Sequence, residues 1–223
     1  MSNNLLKRIF TSILLLSLLS ASLFVNKYTW LVLILSASII SFSEFHNLIK
    51  KIWKGKDLFV NIMNLVIFSY LIFFTFASYY IYTLGLVDII FILLVCIFSD
   101  IGGYTVGKTV GGKKLTKISP NKTISGCVGS FIFSLFPMFI FLLLYNYTKN
   151  IEYKIFDSNK MIYVSLFISL VSQCGDLIVS LFKRKAKVKD TGSILPGHGG
   201  ILDRIDGILF AIPIVFIIQI ILF

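Results

Sequence analysis

Acidic residues are scarce in this chain: ten Asp and Glu stand against 21 Lys and Arg in 223 residues, and charged side chains of both signs make up only 14%. With 57% hydrophobic residues, that scarcity excludes a soluble globular protein. Cysteine is rarer still. Cys96, Cys127 and Cys174 show no C-x-x-C spacing, which argues against a disulfide framework or a zinc site and leaves them as small buried apolar residues in or beside helices. No internal repeat, low-complexity tract, flexible linker or separate hydrophilic domain interrupts the sequence.

Apolar runs fill the space instead, each of roughly 17–25 residues and long enough to span a bilayer. Seven are read: Ile9 to Val25, Tyr28 to Phe45, Leu58 to Tyr82, Leu84 to Ser99, Val128 to Tyr147, Met161 to Phe182, and Gly207 to Phe223. The expectation is an all-α, polytopic membrane helix bundle forming one membrane domain. Residues 1–99 would supply N-terminal helices and residues 100–223 a catalytic region. The first run follows Lys7 and Arg8 as a signal peptide would, but no cleavage site leads into a soluble domain, so it is read as a retained helix. Tyr28, Trp30 and Trp53 fall near helix ends, where aromatic anchors belong.

A net charge of +11 invites a nucleic-acid reading, but its distribution argues otherwise. With the N-terminus inside and the sides alternating, 17 of the 21 basic residues fall on inner segments; Lys27, Lys149, Lys154 and Lys160 stay outside. This is the positive-inside pattern, and it points to membrane lipids and polyphosphates as partners rather than nucleic acid. The inner stretch from His46 to Asp57 is short and simply basic, so its charge is read as topogenic. Glu44, His46 and Asp88 are read as solvated helix ends. Two longer inner segments, Asp100 to Gly126 and Lys183 to Asp206, are rich in Gly, Lys and hydroxyl residues and carry acids at their margins.

Those acids are candidates for chemistry. Asp176 lies inside the sixth run, about 10 Å before Lys183 at 1.5 Å rise per residue. A carboxylate there is costly and needs a partner, either a neighbouring Lys or Arg or a metal ion. Gln173 and Gly175 lie beside it, with Ser172 and Ser180 four residues to either side. Asp203 and Asp206, spaced i, i+3, can point the same way where the last helix begins; Asp206 suits its N-cap, and Asp203 is then free to bind a cation. Asp100 closes the fourth run. Alternating topology brings all four to one membrane face among many lysines, the composition expected for Mg²⁺ and polyphosphate. A transporter would instead place its acids near the midplane and carry repeated halves.

The string Gly102 to Thr109 formally matches G-x-x-x-x-G-K-[ST], but a membrane span precedes it and no α/β domain surrounds it, so it is not a P-loop. A Gly-rich backbone beside lysines can still cradle phosphates. Residues Ile118 to Gly126 offer hydroxyls and a lysine in a turn made by Pro120 and Asn121. His198 could carry a proton, contact a phosphate or stabilise a turn.

The run from Ser180 through Phe182-Lys183-Arg184, Lys189-Asp190, Gly192, Leu195-Pro196, His198-Gly199-Gly200-Ile201 and Asp203-Arg204-Ile205-Asp206 spans 27 residues at fixed spacing. It resembles the signature of the phosphatidate cytidylyltransferases. A second block, Asp100-x-Gly102-Gly103-Tyr104-x2-Gly107-Lys108 followed by Ile118-Ser119-Pro120-x-Lys122-Thr123, resembles that family's central motif. The likeness covers residues 95–210. It departs at Ser125, where the family usually shows an acid, and bacterial members tend to be longer, with more N-terminal spans.

The resemblance implies CTP and phosphatidate as substrates and CDP-diacylglycerol and pyrophosphate as products. It implies a multi-pass protein of the plasma membrane with its active site on the cytoplasmic side. Mg²⁺ is the implied cofactor, and the resemblance leaves open a second, monovalent cation; it also admits a homodimer. Asp176 and Asp203 become the first candidates for metal ligands, followed by Asp206 and Asp100. Lys122, Lys189, Lys183, Arg184 and Arg204, with Ser119, Thr123 and His198, would hold the triphosphate and the lipid phosphate. Lys122 and Lys189 would join Asp176 and Asp203 in catalysis.

Overall fold

A computed structural model describes residues 3–148 and 160–222; the expected outer lysines Lys149 and Lys154 lie outside the described residues. The described residues form eight helices: α1 (Asn3–Val25), α2 (Lys27–Ile52), α3 (Asp57–Leu84), α4 (Leu86–Val110), α5 (Ile124–Ser134), α6 (Phe136–Thr148), α7 (Met161–Lys185) and α8 (Leu202–Leu222). They contain no sheet, only isolated bridges Lys114–Thr123 and Leu195–Gly199. Among the described residues seven spans are long and apolar enough to cross a membrane, one for each expected run, with α5 and α6 together making one of them. Their break at Leu135 has a local cause: Pro137 has no N–H to donate to Phe133, so the ladder lapses for a turn.

Two compact units form, each from two stretches of chain: Met1–Tyr79 with Val179–Asp206, and Tyr80–Ile178 with Gly207–Phe223. The first contains α1, α2, most of α3 and the end of α7 with the loop that follows it. Asn26 separates α1 from α2 by a capping box: its Oδ1 accepts from Tyr28 N and Thr29 N, each at 2.9 Å. Cross-links hold α2 antiparallel to α3. The Trp30 indole donates to Ser78 Oγ at 3.1 Å, Ser38 and Thr75 share a hydrogen bond of 3.0 Å, Phe42 and Phe68 meet edge to face, and His46 Nδ1 lies 3.2 Å from Asn64 Oδ1. Trp30 is therefore not an interfacial anchor, being only 1% exposed. A donor buried among apolar helices has no water to turn to, so Ser78 takes it. His46 is half-buried against α3 rather than solvated.

In the second unit α4 does not end at Asp100. It continues to Val110, so Gly102, Gly103 and Gly107 are helical rather than part of a loop. Their small size serves packing against α5. A Cβ on Gly102 would lie 2.5 Å from Gly129 O, and one on Gly126 would lie 2.7 Å from Gly103 O. Backbones this close need small residues on both helices, the device membrane helices use to associate. Asp88 is buried in the first turn of α4, not solvated; an acid near a helix N-terminus meets the positive end of the dipole. Among the described residues no disulfide joins the three cysteines. Only Cys96 is buried, Cys174 facing outward and Cys127 lying half-buried at a cavity wall.

Candidate active site

The second unit builds a polar cavity of about 260 Å³. Its floor depends on a turn: Lys122 N–H donates to Ser119 O at 3.1 Å, the bend expected at Pro120-Asn121. The chain then pairs back through Leu115 N–H to Lys122 O at 2.8 Å and starts α5, whose first turn Thr123 caps by accepting from Gly126 N–H at 3.1 Å. The Ser125 hydroxyl donates to Gly111 O at the end of α4, and its Oγ lies 2.9 Å from Thr123 Oγ1. So folded, the turn aims Lys122 Nζ at Asp176 Oδ2, 2.5 Å away on α7. Both side chains keep between a quarter and a third of their surface open, 27% and 29%. Asp100 on α4, Gln173 on α7, Asn121, Thr123, Ser130 and Tyr104 add to the polar lining. Ser119 shapes the turn through its backbone and is not among the lining residues.

The first unit carries the other group of expected residues. Lys183, in the last turn of α7, bonds Asp203 Oδ1 at 2.7 Å. Asp203 Oδ2 accepts from Thr191 N–H at 2.8 Å and Gly200 N–H at 3.1 Å, with Thr191 Oγ1 at 3.0 Å. Helix α8 starts at Leu202, earlier than expected, so Asp203 lies in its first turn and Asp206 in its body, half-buried, rather than at the N-cap. Arg204 donates through Nε and Nη2 to His198 O, at 3.3 and 2.9 Å. Arg184 and Lys189 are exposed.

Of the three roles open to His198, turn stabilisation is the one with contacts. Its Nδ1 is 2.5 Å from Thr11 Oγ1 and its Nε2 is 3.3 Å from Ser12 Oγ, while Arg8 Nε donates to Gly197 O at 3.1 Å. The start of α1 thus holds the P-G-H-G-G turn. Gly197 and Gly199 have φ of 78° and 83°, a backbone that favours glycine. Loss of water around the ring, then the charges of Arg204 and Arg8, push the imidazole below its usual range.

Sequence reasoning missed Glu44. It is not a solvated end: it is 3% exposed and accepts from Thr191 Oγ1 and the amides of Ile201 and Leu202. The signal was the one that singled out Asp176, an acid within an apolar helix. A wider groove of about 570 Å³ between α2 and α3, walled by Leu35, Phe42, Phe68 and Phe76, offers no charged group for a reaction.

Asp100 and Asp176 face one cavity, and this fits a cation held in the manner of Mg²⁺: one or two carboxylates, with the remaining positions left to water and phosphate oxygens. Among the described residues no three His, Cys, Asp or Glu side chains converge.

Fold and site define a multi-pass helical membrane protein whose polar cavity sets carboxylates beside a lysine and hydroxyls. Residues 58–222 match the model of the cytidylyltransferase family, and the chain belongs to that family. It is 42% identical over 137 residues to a protein named phosphatidate cytidylyltransferase from Staphylococcus haemolyticus (strain JCSC1435), covering 61% of this chain and 50% of the relative. To the protein of that name from Bacillus subtilis (strain 168) it is 41% identical over 133 residues, 59% of this chain and 47% of the relative. The chain thus spans about half the length of the curated relatives it matches.

Proposed function

We propose that this chain transfers CMP from CTP to phosphatidate, releasing pyrophosphate and forming CDP-diacylglycerol, on the cytoplasmic side of the plasma membrane. The observation that carries the reading is the Lys122–Asp176 pair in a cavity that Asp100 also lines. A phosphate oxygen of phosphatidate attacks the α-phosphorus of CTP; that P–O bond forms as the α–β bridging bond breaks, and the electron pair leaves with pyrophosphate. Phosphatidate is already anionic near neutral pH, so no general base is required. What the reaction needs is positioning and charge stabilisation.

Asp100 and Asp176 would hold Mg²⁺, which when bound would offset charge on the triphosphate. Lys122 begins neutralised by Asp176; an incoming triphosphate gives its ammonium a second anion to bind, at the charge-assisted strength such contacts have. Lys183 and Arg204 belong to a network around Asp203 and the turn, and with Arg184 and Lys189 they give the first unit its own positive cluster, which would attract phosphates. Sequence asymmetry of basic residues supports the cytoplasmic placement.

Asp176→Asn tests the reading. Asn keeps the shape and removes the charge, so turnover of CTP with phosphatidate by the purified chain in detergent should drop at least a hundredfold, about 2.7 kcal/mol of barrier, with thermal stability close to wild type. Retention of more than about a tenth of the wild-type rate would remove Asp176 from the required set.

A further inference from the structure

The carboxylate of Glu44 has no part in the reaction derived above, yet it organises the loop that carries Asp203. Its Oε1 accepts from Ile201 N–H at 3.0 Å; its Oε2 accepts from Leu202 N–H at 3.0 Å and from Thr191 Oγ1 at 2.7 Å. Leu202 opens α8, so the two amides are among those a helix N-terminus leaves without an intrahelical acceptor. A side chain more than 150 positions earlier in sequence thus caps α8, where its negative charge also suits the dipole. Three donors offset the cost of burying this carboxylate.

The loop closes tightly on it. A Cβ at Gly192 would lie 2.6 Å from Glu44 Oε1, and one at Gly200 would collide with both Glu44 oxygens and with Thr191 Oγ1. Thr191 then joins the two acids. Its N–H donates to Asp203 Oδ2, and its hydroxyl stands between Glu44 Oε2 at 2.7 Å and Asp203 Oδ2 at 3.0 Å. A hydroxyl has one proton to give, so it serves one carboxylate at a time, and each acid constrains where the threonine can sit for the other. Phe45, next to Glu44, packs edge to face on Phe182, next to Lys183, which bonds the far oxygen of Asp203.

We propose that Glu44 and Thr191 are positioning residues: they hold the segment from Thr191 to Leu202 against α2, and so hold Asp203 and Lys183 in the orientation that cytidylyl transfer uses. This rests on the function proposed above.

The test uses the full chain in detergent, with Glu44→Gln, Thr191→Val, Thr191→Ser and the double variant Glu44→Gln/Thr191→Val. Hydrogen exchange of peptides covering 187–206 should accelerate about tenfold or more in Glu44→Gln and Thr191→Val, with peptides from α4 and α5 unchanged and Thr191→Ser close to wild type. At a temperature where each variant is folded, kcat should fall about ten- to a hundredfold while KM for CTP moves less than about threefold. The double variant should be no slower than the slower single one, since both changes cut the same link. Unchanged exchange over 187–206, wild-type kcat in a folded Glu44→Gln or Thr191→Val, or additive losses in the double variant would overturn the proposal. Should Glu44→Gln fail to fold, the contrast of Thr191→Val with Thr191→Ser carries the test. If the wild-type chain makes no CDP-lipid, it is the proposed reaction that fails, and the exchange measurement alone decides whether these two residues fix the loop.

Discussion

Lys122 and Asp176 neutralise one another across 2.5 Å, and that pairing separates a site lysine from the many that only face the lipid surface. Charge-assisted hydrogen bonds in a partly desolvated site contribute roughly 1.5–3 kcal/mol each. Lys122→Gln should therefore lower kcat/KM about ten- to a hundredfold and Lys189→Gln, at an exposed position, by less, while Lys54→Gln, exposed just past the end of α2, stays within about twofold. Equal, small effects at all three in a steady-state assay would reduce these lysines to topogenic charge. His198 gives a pH signature. Below the ordinary imidazole value of 6.5 the unfolded chain takes up a proton that the folded ring resists, so stability falls as pH drops and levels off above it. Thermal melting between pH 7.5 and 5.5 should show a steeper loss for wild type than for His198→Gln; identical slopes would contradict this. The acids Asp100, Asp176 and Asp203 were legible because a charge inside or beside an apolar run stands out. Glu44 carried the same signal, but its partners are on the far side of the sequence, and no local pattern announces a bond to Thr191 or to the start of α8.

Glycine has different meanings at the scale of elements. Gly197 and Gly199 have positive φ and make a turn, whereas Gly102 and Gly129 let α4 and α5 touch. Read along the chain, the two kinds look alike, and for that reason the stretch from Gly102 to Thr109 resembled a phosphate loop although α4 runs through it. A Cβ at Gly129 would meet Val106 Cβ at 2.5 Å. Gly129→Ala should therefore cost about 1–3 kcal/mol, visible as a lowered melting temperature, with Ser17→Ala on the exposed face of α1 as a control. A wild-type melting temperature for Gly129→Ala would mean that α4 and α5 are less closely packed. Helix existence was legible from hydropathy, since a span needs about 20 apolar residues whatever it packs against. Helix ends were less so: α4 outran its apolar run by eleven residues, its glycines packing against α5, and α8 began five residues early, where Glu44 accepts from Leu202 N–H.

For the whole molecule, basic asymmetry sets the expected orientation. In a background with the three native cysteines replaced, a cysteine at Lys187 should react with a membrane-impermeant thiol reagent only after the cytoplasmic side is opened, and one at Lys27 in intact cells. Outer labelling of position 187 would invert the topology. The seven spans and the family follow from hydropathy and motif spacing; the division into two units, each from two stretches of chain, does not, since it depends on which helices pack together. The central claim concerns which phosphorus of CTP is attacked. Purified chain, phosphatidate and Mg²⁺ should be supplied with CTP labelled either at the α- or at the γ-phosphorus, and the lipid fraction counted. Cytidylyl transfer places the α label in the lipid and leaves the γ label in pyrophosphate. Label from the γ position in the lipid, or none from either, would contradict it.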